Sequence, residues 1–490
     1  MTISWLMAAL VLVPQPQKVV ERDGFTGCGR FADKITVNEK TDRAIPSEGY
    51  RLTVTTNGVT ITSSDAAGAF YARETLKQLA TVDGNGVRRL PLVEIEDAPR
   101  YRWRGVHFDD CRHFFGKETL LGVLDLMAEH KLNRLHWHLT DDQGWRLDVP
   151  GCPELVKYGA VRPESVRHGE TEATNGQPYG PFYYTERDVR EIIAYAAARH
   201  IQIVPEIELP GHVYAALAAY PAFACFPEHL AKRTPRVRWG IEKDVLCVGN
   251  DEAIEFMEKV LDYVCRIFPS DIVHIGGDEC PSEMWKSCPK CQARIAREGL
   301  KDEHGLQPWI TRHFAEFLAK RGRRVIGWDD IVLGEVPNDV IVMCWHDRRL
   351  PGDRFLLAGE IAAKGHDVVQ TPGWPCYFDY PQGRLKDDSY QYIGGGDILG
   401  ATLEQVYAYD PCANVPESAR RHVLGAQCNN WSEYTWNEYD LAWKMWPRTC
   451  ALAEVLWTGE ARPGYADFRR RMAVHRARLI GRRVNCAPLE

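Results

Sequence analysis

The chain has no long run of Lys and Arg, and its net charge is −7. Nucleic acid as the main partner would ask for a basic stripe, so that class is disfavoured. No apolar segment is long enough to serve as a transmembrane helix. The stretch from Ile3 to Val13 is apolar but short, and no Lys or Arg precedes it. It fits either the core of a signal peptide or the start of the first domain. Export to the periplasm or beyond and residence in the cytoplasm are both compatible with it. Cysteine motifs are scarce too. The fifteen cysteines are an odd number, which leaves at least one unpaired in a monomer, and they are spread too thinly for a small disulfide scaffold. Only Cys280, Cys288 and Cys291 cluster. Cys288-Pro289-Lys290-Cys291 has the form of half a zinc knuckle, but no second CxxC accompanies it. A local disulfide or plain thiols are expected there, and no metal.

What the chain does have is length and aromatic side chains. At 490 residues it can bury a large core and hold two or three domains. Its fifteen Trp and twenty Tyr suit a core, and aromatic faces also suit the apolar sides of sugar rings.

Residues 1–98 read as a small accessory α+β domain. Tyr50 to Val54 and Val59 to Ile61 alternate with period two around Asn57-Gly58, a hairpin signal, and Ala66 to Leu79 has helical spacing. Leu90 to Ile95 supplies another strand, and Ala98-Pro99 marks the boundary. No chemistry is evident in this part. From Arg104 the pattern becomes strand, loop, helix, repeated through residues 99–490, with a helical C-terminal end. Strands are expected at Gly105–Asp109, Asn133–Leu139, Gln202–Glu208, Ile272–Glu279, Arg324–Asp329, Val340–Trp345, Asp367–Thr371 and Val423–Trp431. Helices are expected at Thr119–His130, Glu186–His200, Ala253–Ile267, Trp309–Arg321 and Leu441–Trp457. This alternation is an α/β pattern and fits a closed (β/α)8 TIM barrel preceded by the small α+β domain.

In such a barrel the active groups gather where the strands end. The ends carry Asp109 to Arg112, His136 to Asp142, Glu206 to His212, Asp278-Glu279, Trp328-Asp329, Trp345-His346, Tyr377 with Asp379, and Trp431 with Glu433. A barrel serving only as a scaffold has no need of carboxylates and indoles at nearly every terminus. The most informative run is His274-Ile275-Gly276-Gly277-Asp278-Glu279. Two glycines strip the backbone of side chains just before two adjacent carboxylates, as where a chain opens onto a ligand. Adjacent carboxylates poorly suit ordinary retaining glycosidases, whose acid and nucleophile flank the scissile bond about 5 Å apart. They suit a division of labour in which one donates a proton, its pKa raised by burial and a neighbouring charge, while the other stays ionised.

Several motifs, in order, carry a resemblance. They are Arg104-Gly105 with Asp109-Asp110-Cys111-Arg112-His113-Phe114, then His136-Trp137-His138-Leu139-Thr140-Asp141-Asp142-Gln143-Gly144-Trp145. Pro205-Glu206-Ile207-Glu208-Leu209-Pro210-Gly211-His212, His274 to Glu279, Gly327-Trp328-Asp329 and Trp431-Ser432-Glu433 complete the series. Over roughly residues 90 to 460 the chain resembles the glycoside hydrolase family 20 β-N-acetylhexosaminidases. The leading unit resembles that family's N-terminal domain but is abbreviated between Gly29 and Gly49.

The resemblance implies an exo-acting, retaining enzyme that releases terminal β-linked GlcNAc or GalNAc without metal or organic cofactor. In the mechanism it implies, the substrate's own 2-acetamido oxygen attacks the anomeric carbon and forms an oxazolinium ion. Asp278 would hold the acetamido N–H, and Glu279 would protonate the leaving oxygen and later deprotonate water. Arg112 would hold the 3- and 4-hydroxyls. Trp328, Trp345 and Trp431 would line the acetyl pocket and the ring face. Tyr377 would donate to the acetamido oxygen, Asp379 would bind hydroxyls at the far edge, and Glu433 would accept from the 4- and 6-hydroxyls. His212, with Asp141 or Asp142, would form a relay tuning Glu279. The implied partner is a glycan with a terminal β-linked N-acetylhexosamine. Two other readings within or beside the family are a disaccharide-releasing enzyme, decided by how the loops after Leu209 and Asp379 close, and a sugar-binding protein without catalysis. A metal-dependent barrel hydrolase is a rival from another class, prompted by His136 and His138 on one face of a strand.

Overall fold

The computed structural model describes residues 10–27, 36–82, 88–347, 356–382, 400–460 and 462–489. The stretch from Ile3 therefore lies outside the described residues up to residue 9, as does the 28–35 part of the abbreviated segment. Among the described residues no helix is long and apolar enough to cross a membrane.

Seven strands belong to the leading part and its first barrel junction. They are β1 (Lys18–Gly27), β2 (Val37–Thr41), β3 (Tyr50–Thr55), β4 (Gly58–Ser63), β5 (Thr81–Val82), β6 (Arg88–Asp97) and β7 (Trp103–Asp109). The first six form one sheet in the order β1-β6-β3-β4-β2, with β5 on β6. The expected hairpin is present as β3 and β4, but Gly58 pairs with Thr55, so the turn sits at Thr56-Asn57. Gly58 has φ +134, and a Cβ there would lie 2.8 Å from the Thr36 carbonyl oxygen. Any other residue would meet both strain and a clash at that point. The helix Ala66–Leu79 starts where expected because Asp65 accepts a hydrogen bond from the Gly68 amide at 2.8 Å. Its Tyr71, Ala72 and Leu79 pack on Leu52, Val54, Val59 and Ile61 of the sheet.

The barrel holds β7, β8 (Arg134–His138), β11 (Gln202–Glu206), β12 (Ile272–His274), β13 (Arg324–Trp328), β14 (Ile341–Cys344), β15 (Val368–Gln370) and β16 (Val423–Cys428). Two short strands, β9 (Thr140–Asp141) and β10 (Gly144–Trp145), form a separate ribbon after β8. The eight barrel strands are parallel and close in the order β11-β12-β13-β14-β15-β16-β7-β8. Trp103, Val204, Ile326, Ile341, Met343 and Val369 fill its interior with apolar bulk. Above them lies a buried polar layer centred on Glu206. Its carboxylate faces His136 Nε2 at 3.0 Å and His274 Nδ1 at 2.9 Å, and accepts from Trp328 Nε1 at 2.9 Å. His138 Nδ1 also meets Glu206, while its Nε2 faces Asp141 at 2.8 Å. Against the pull of burial, the three imidazoles hold Glu206 ionised, well below the usual glutamate range. The histidine pair weighed as metal ligands is thus engaged by carboxylates.

Several expectations change. The strand expected over Ile272–Glu279 ends at His274, because Gly276 (φ +63) and Gly277 (φ +96) turn the backbone out of the ladder. A Cβ on Gly276 would stand 1.7 Å from Glu208 Oε2, so only glycine fits. The single helix expected over Leu441–Trp457 is two, Glu438–Met445 and Arg448–Thr458. Pro447 has no N–H to continue the first of them. Finally, the Cys288–Cys291 pair, expected to form a disulfide or stay as thiols with no further metal-type partner, packs against two cysteines remote in sequence. Cys225 and Cys247 complete a four-sulfur cluster, which spacing along the chain could not reveal.

Candidate active site

At the carboxyl ends of the strands lies a cavity of about 550 Å³. It is lined by Asp278, Glu279, Arg112, His212, Trp328, Trp345, Tyr377, Asp379, Trp431 and Glu433. Asp141 is the one expected site residue outside the lining. It stands behind Arg112 and is wholly buried.

Asp109, at the end of β7, fixes one wall. It accepts from the Cys111 amide at 2.8 Å, the Ser432 amide at 2.9 Å and Arg112 Nη1 at 3.3 Å. Those bonds tie the loop after β7 to the loop after β16, which brings Arg112 beside Glu433. Arg112 Nη2 lies 2.7 Å from Asp141 and 3.9 Å from Glu433, and the guanidinium sits 4.9 Å from the centre of the Trp431 ring. The planar cation is therefore held in place before any ligand meets it.

The indoles make a connected wall. Trp328 and Trp431 stand 5.6 Å apart, and Tyr377 lies 6.4 Å from both Trp345 and Trp431. Trp328 is anchored on Glu206 and Trp345 donates to Asp330 Oδ2 at 2.9 Å. Asp330 also accepts from the Glu279 amide at 3.2 Å. One carboxylate thus couples the aromatic wall to the backbone of Glu279, which adopts a left-handed φ of 48°. Non-glycine residues are uncommon in that region, and His212 shares it with a φ of 46°.

His212 stands at the centre of the charges. Its Nδ1 is 3.3 Å from both Asp141 and Asp142, while Nε2 is 3.7 Å from Asp278 Oδ2 and 3.5 Å from Glu279 Oε2. Burial would favour neutral His212, but Asp141 and then Asp278 raise its pKa well above the ordinary value. The two adjacent carboxylates titrate oppositely to the sequence expectation. Burial pushes Asp278 up to about 7 against the pull of His212, with the charge of Glu279 adding to the rise. Burial acts on Glu279 as well, yet the hydrogen bond and charge of His212, then Arg112, hold it below its ordinary value. Of the two, Asp278 is therefore the more readily protonated. Across the cavity, burial pushes Asp379 up to about 7 despite Lys444, with Glu433 contributing.

The family model for the glycosyl hydrolase family 20 catalytic domain matches residues 101–460, and the model for that family's domain 2 matches residues 17–98. The chain belongs to glycosyl hydrolase family 20. It is 42% identical over 443 residues to a β-hexosaminidase of Porphyromonas gingivalis, covering 88% of this chain but 54% of that protein. The chain thus spans about half the length of that relative. A β-hexosaminidase of Akkermansia muciniphila is 34% identical over 450 residues, covering 91% of this chain and 87% of that one. Among solved structures, a family 20 exo β-N-acetylglucosaminidase of Vibrio harveyi in complex with N-acetylglucosamine superposes with a TM-score of 0.85. It is 28% identical, with 98% of this chain and 78% of that chain covered.

The family 20 cavity also takes residues that reading the sequence missed. Trp239, Gly240 and Ile241 line it from the loop after Leu209. That loop is anchored where the Glu242 amide donates to Asp142 at 3.0 Å. Nothing in its local pattern separates this Trp from a core residue. Glu208, two residues past β11, is driven well above the glutamate range by burial and by the charges of Asp278 and Glu206. Asp330 follows Asp329 directly and carries no signal of its own. Of the two loops expected to decide closure, the part after Asp379 at 383–399 lies outside the described residues.

Proposed function

We propose that this chain is an exo-acting, retaining β-N-acetylhexosaminidase whose substrate supplies the attacking oxygen. One observation carries the reading. Asp278 and Glu279 face the same cavity from one side, bridged by His212, instead of flanking a position where a glycosidic bond would lie between two carboxylates. Such a pair can steady a cation and move a proton, and leaves the nucleophile to the ligand.

Asp278 Oδ1 is buried and has no hydrogen-bond partner among the described residues. An acetamido N–H placed against it meets that need. A bond donated to a carboxylate favours its anion, which lowers the raised pKa of Asp278. His212, itself held charged, gives its Nε2 proton to Glu279 and takes up the one Asp278 held, which leaves Asp278 charged beneath the developing oxazolinium ion. Glu279 then protonates the leaving oxygen, and in the second step takes a proton from the water that attacks the anomeric carbon. Two displacements at that carbon restore the starting configuration. Tyr377 donates to the acetamido oxygen and aligns it. Trp328, Trp345 and Trp431 enclose the acetyl group and the ring. Arg112, Asp379 and Glu433 hold the hydroxyls. Asp141 acts through Arg112 and His212 as a positioning residue.

Two measurements test this reading. Proton NMR during hydrolysis of a β-linked N-acetylglucosamine oligosaccharide should show a single terminal sugar released first as the β-anomer. First appearance of the α-anomer, or of a disaccharide, would contradict it. The pH profile follows from the proton count. The pair works with one proton, so kcat/KM falls as pH rises through about 7, where Asp278 loses it. The acid limb falls below the ordinary glutamate range, where Glu279 takes up a second proton. A kcat/KM still climbing at about pH 9 would be incompatible with this assignment.

A further inference from the structure

Outside the catalytic cavity, four thiols converge. The sulfurs of Cys225, Cys247, Cys288 and Cys291 all lie within 4.8 Å of one another. Cys225 and Cys291 are 3.7 Å apart, Cys247 and Cys288 3.7 Å, and Cys247 and Cys291 3.8 Å. A zinc ion bound by four thiolates at about 2.3 Å sets its sulfurs at the corners of a tetrahedron with edges of roughly 3.8 Å. These three separations match that edge, and the other three are within 4.8 Å. Cys247 and Cys291 each approach two other sulfurs to within 0.1 Å of the same distance, and all four thiols are free, so they are not sorted into two covalent pairs.

The surroundings are built to hold this arrangement. Three of the four cysteines are fully buried and Cys225 is partly so. Cys288 caps the helix Pro289–Glu298, whose first turn contains Cys291, so both sulfurs sit at the positive end of the helix dipole. Gly249 lets the chain after Cys247 press against this turn: a Cβ there would stand 2.1 Å from the Lys290 carbonyl carbon. Cys247 donates its amide to Phe223 O at 2.9 Å, and an isolated bridge pairs Ala224 with Leu246. These contacts bring Cys225 beside Cys247 although a long loop separates them.

We propose that these four cysteines bind one structural zinc ion, releasing their four thiol protons on binding. All four positions are taken by protein, which leaves no place for water or substrate and marks the site as structural. Its position gives it a purpose. Cys225 and Cys247 bracket the loop that carries Trp239, Gly240 and Ile241 to the cavity, and Cys288 and Cys291 follow closely after Glu279. The ion staples that loop to the segment bearing the adjacent carboxylates. The inference stands on the sulfur geometry alone and holds or fails independently of the reaction proposed above.

The test is metal analysis of the full chain purified without chelators from cells grown in zinc-containing defined medium. Elemental mass spectrometry should find about one zinc per chain, and X-ray absorption at the zinc edge should show four sulfurs at about 2.3 Å. Zinc content should drop at least ten-fold in the Cys288→Ser/Cys291→Ser variant and stay unchanged in Cys265→Ser. If the double variant does not fold, the unaltered protein still decides. Less than about a tenth of a zinc per chain, iron in its place, or two disulfides among the four would overturn the proposal.

Discussion

Glu279→Gln should lose roughly 10² to 10⁴ in kcat on a substrate with an unactivated sugar leaving group. The amide keeps the size of the side chain but has no proton acidic enough for the departing oxygen. It cannot act as base toward water in the second step either. With an aryl leaving group such as p-nitrophenol the first step needs less help, so the loss should shrink there. Such a dependence on the leaving group separates a missing acid from a damaged fold. The position of Glu279 supports this expectation: its amide is tied to Asp330, its carboxylate faces His212, and its backbone is held in an unusual conformation. Unfolding temperature and product affinity should stay close to those of the unaltered enzyme. A variant retaining activity within about ten-fold on both substrates would remove Glu279 from the chemistry. Asp278→Asn should also cripple turnover, but for another reason. It deletes the anion beneath the cation, so its loss should depend little on the leaving group.

The barrel was legible because most of its strands are short apolar runs alternating with helical patterns, and all eight join the closed sheet. Their far ends were less legible. Ile275 continues the apolar pattern of β12, but Gly276 and Gly277 bend the chain toward Glu208, and the ladder stops at His274. At β16 the ladder stops at Cys428, although Asn429 still makes one bridge to Tyr377. Most of the side chains that line the cavity thus sit beyond the regular strands, where backbone direction depends on tertiary contacts, while Trp328 is the last residue of β13. The site itself was legible as a set of polar and aromatic residues following those strands. The order of the two carboxylate pKa values was not, since it depends on which of them His212 hydrogen-bonds and on how deeply Asp278 is buried. Trp239 and Asp330 were missed because their places come from a long loop and a short helical turn with no motif. The four-cysteine cluster was hidden for a similar reason: only half of it is local in sequence.

The cavity gives the proposed selectivity for an acetamido sugar a physical basis. Burying one methyl contributes only on the order of 1 kcal/mol, so the indoles alone cannot discriminate strongly. A site that leaves the buried Asp278 Oδ1 without a partner penalises a sugar lacking the amide by far more, on the order of 10⁴ in rate. If the amide oxygen also forms the new bond to the anomeric carbon, its electron density should govern the rate. The decisive measurement is kcat/KM for a series of p-nitrophenyl β-glucosaminides bearing acetyl, fluoroacetyl, difluoroacetyl and trifluoroacetyl groups, with the β-glucoside as the end of the scale. Substrate assistance predicts a steep fall with each fluorine and almost no turnover of the glucoside. A flat series, or a glucoside hydrolysed as well as its acetamido counterpart, would mean that the attacking oxygen comes from elsewhere.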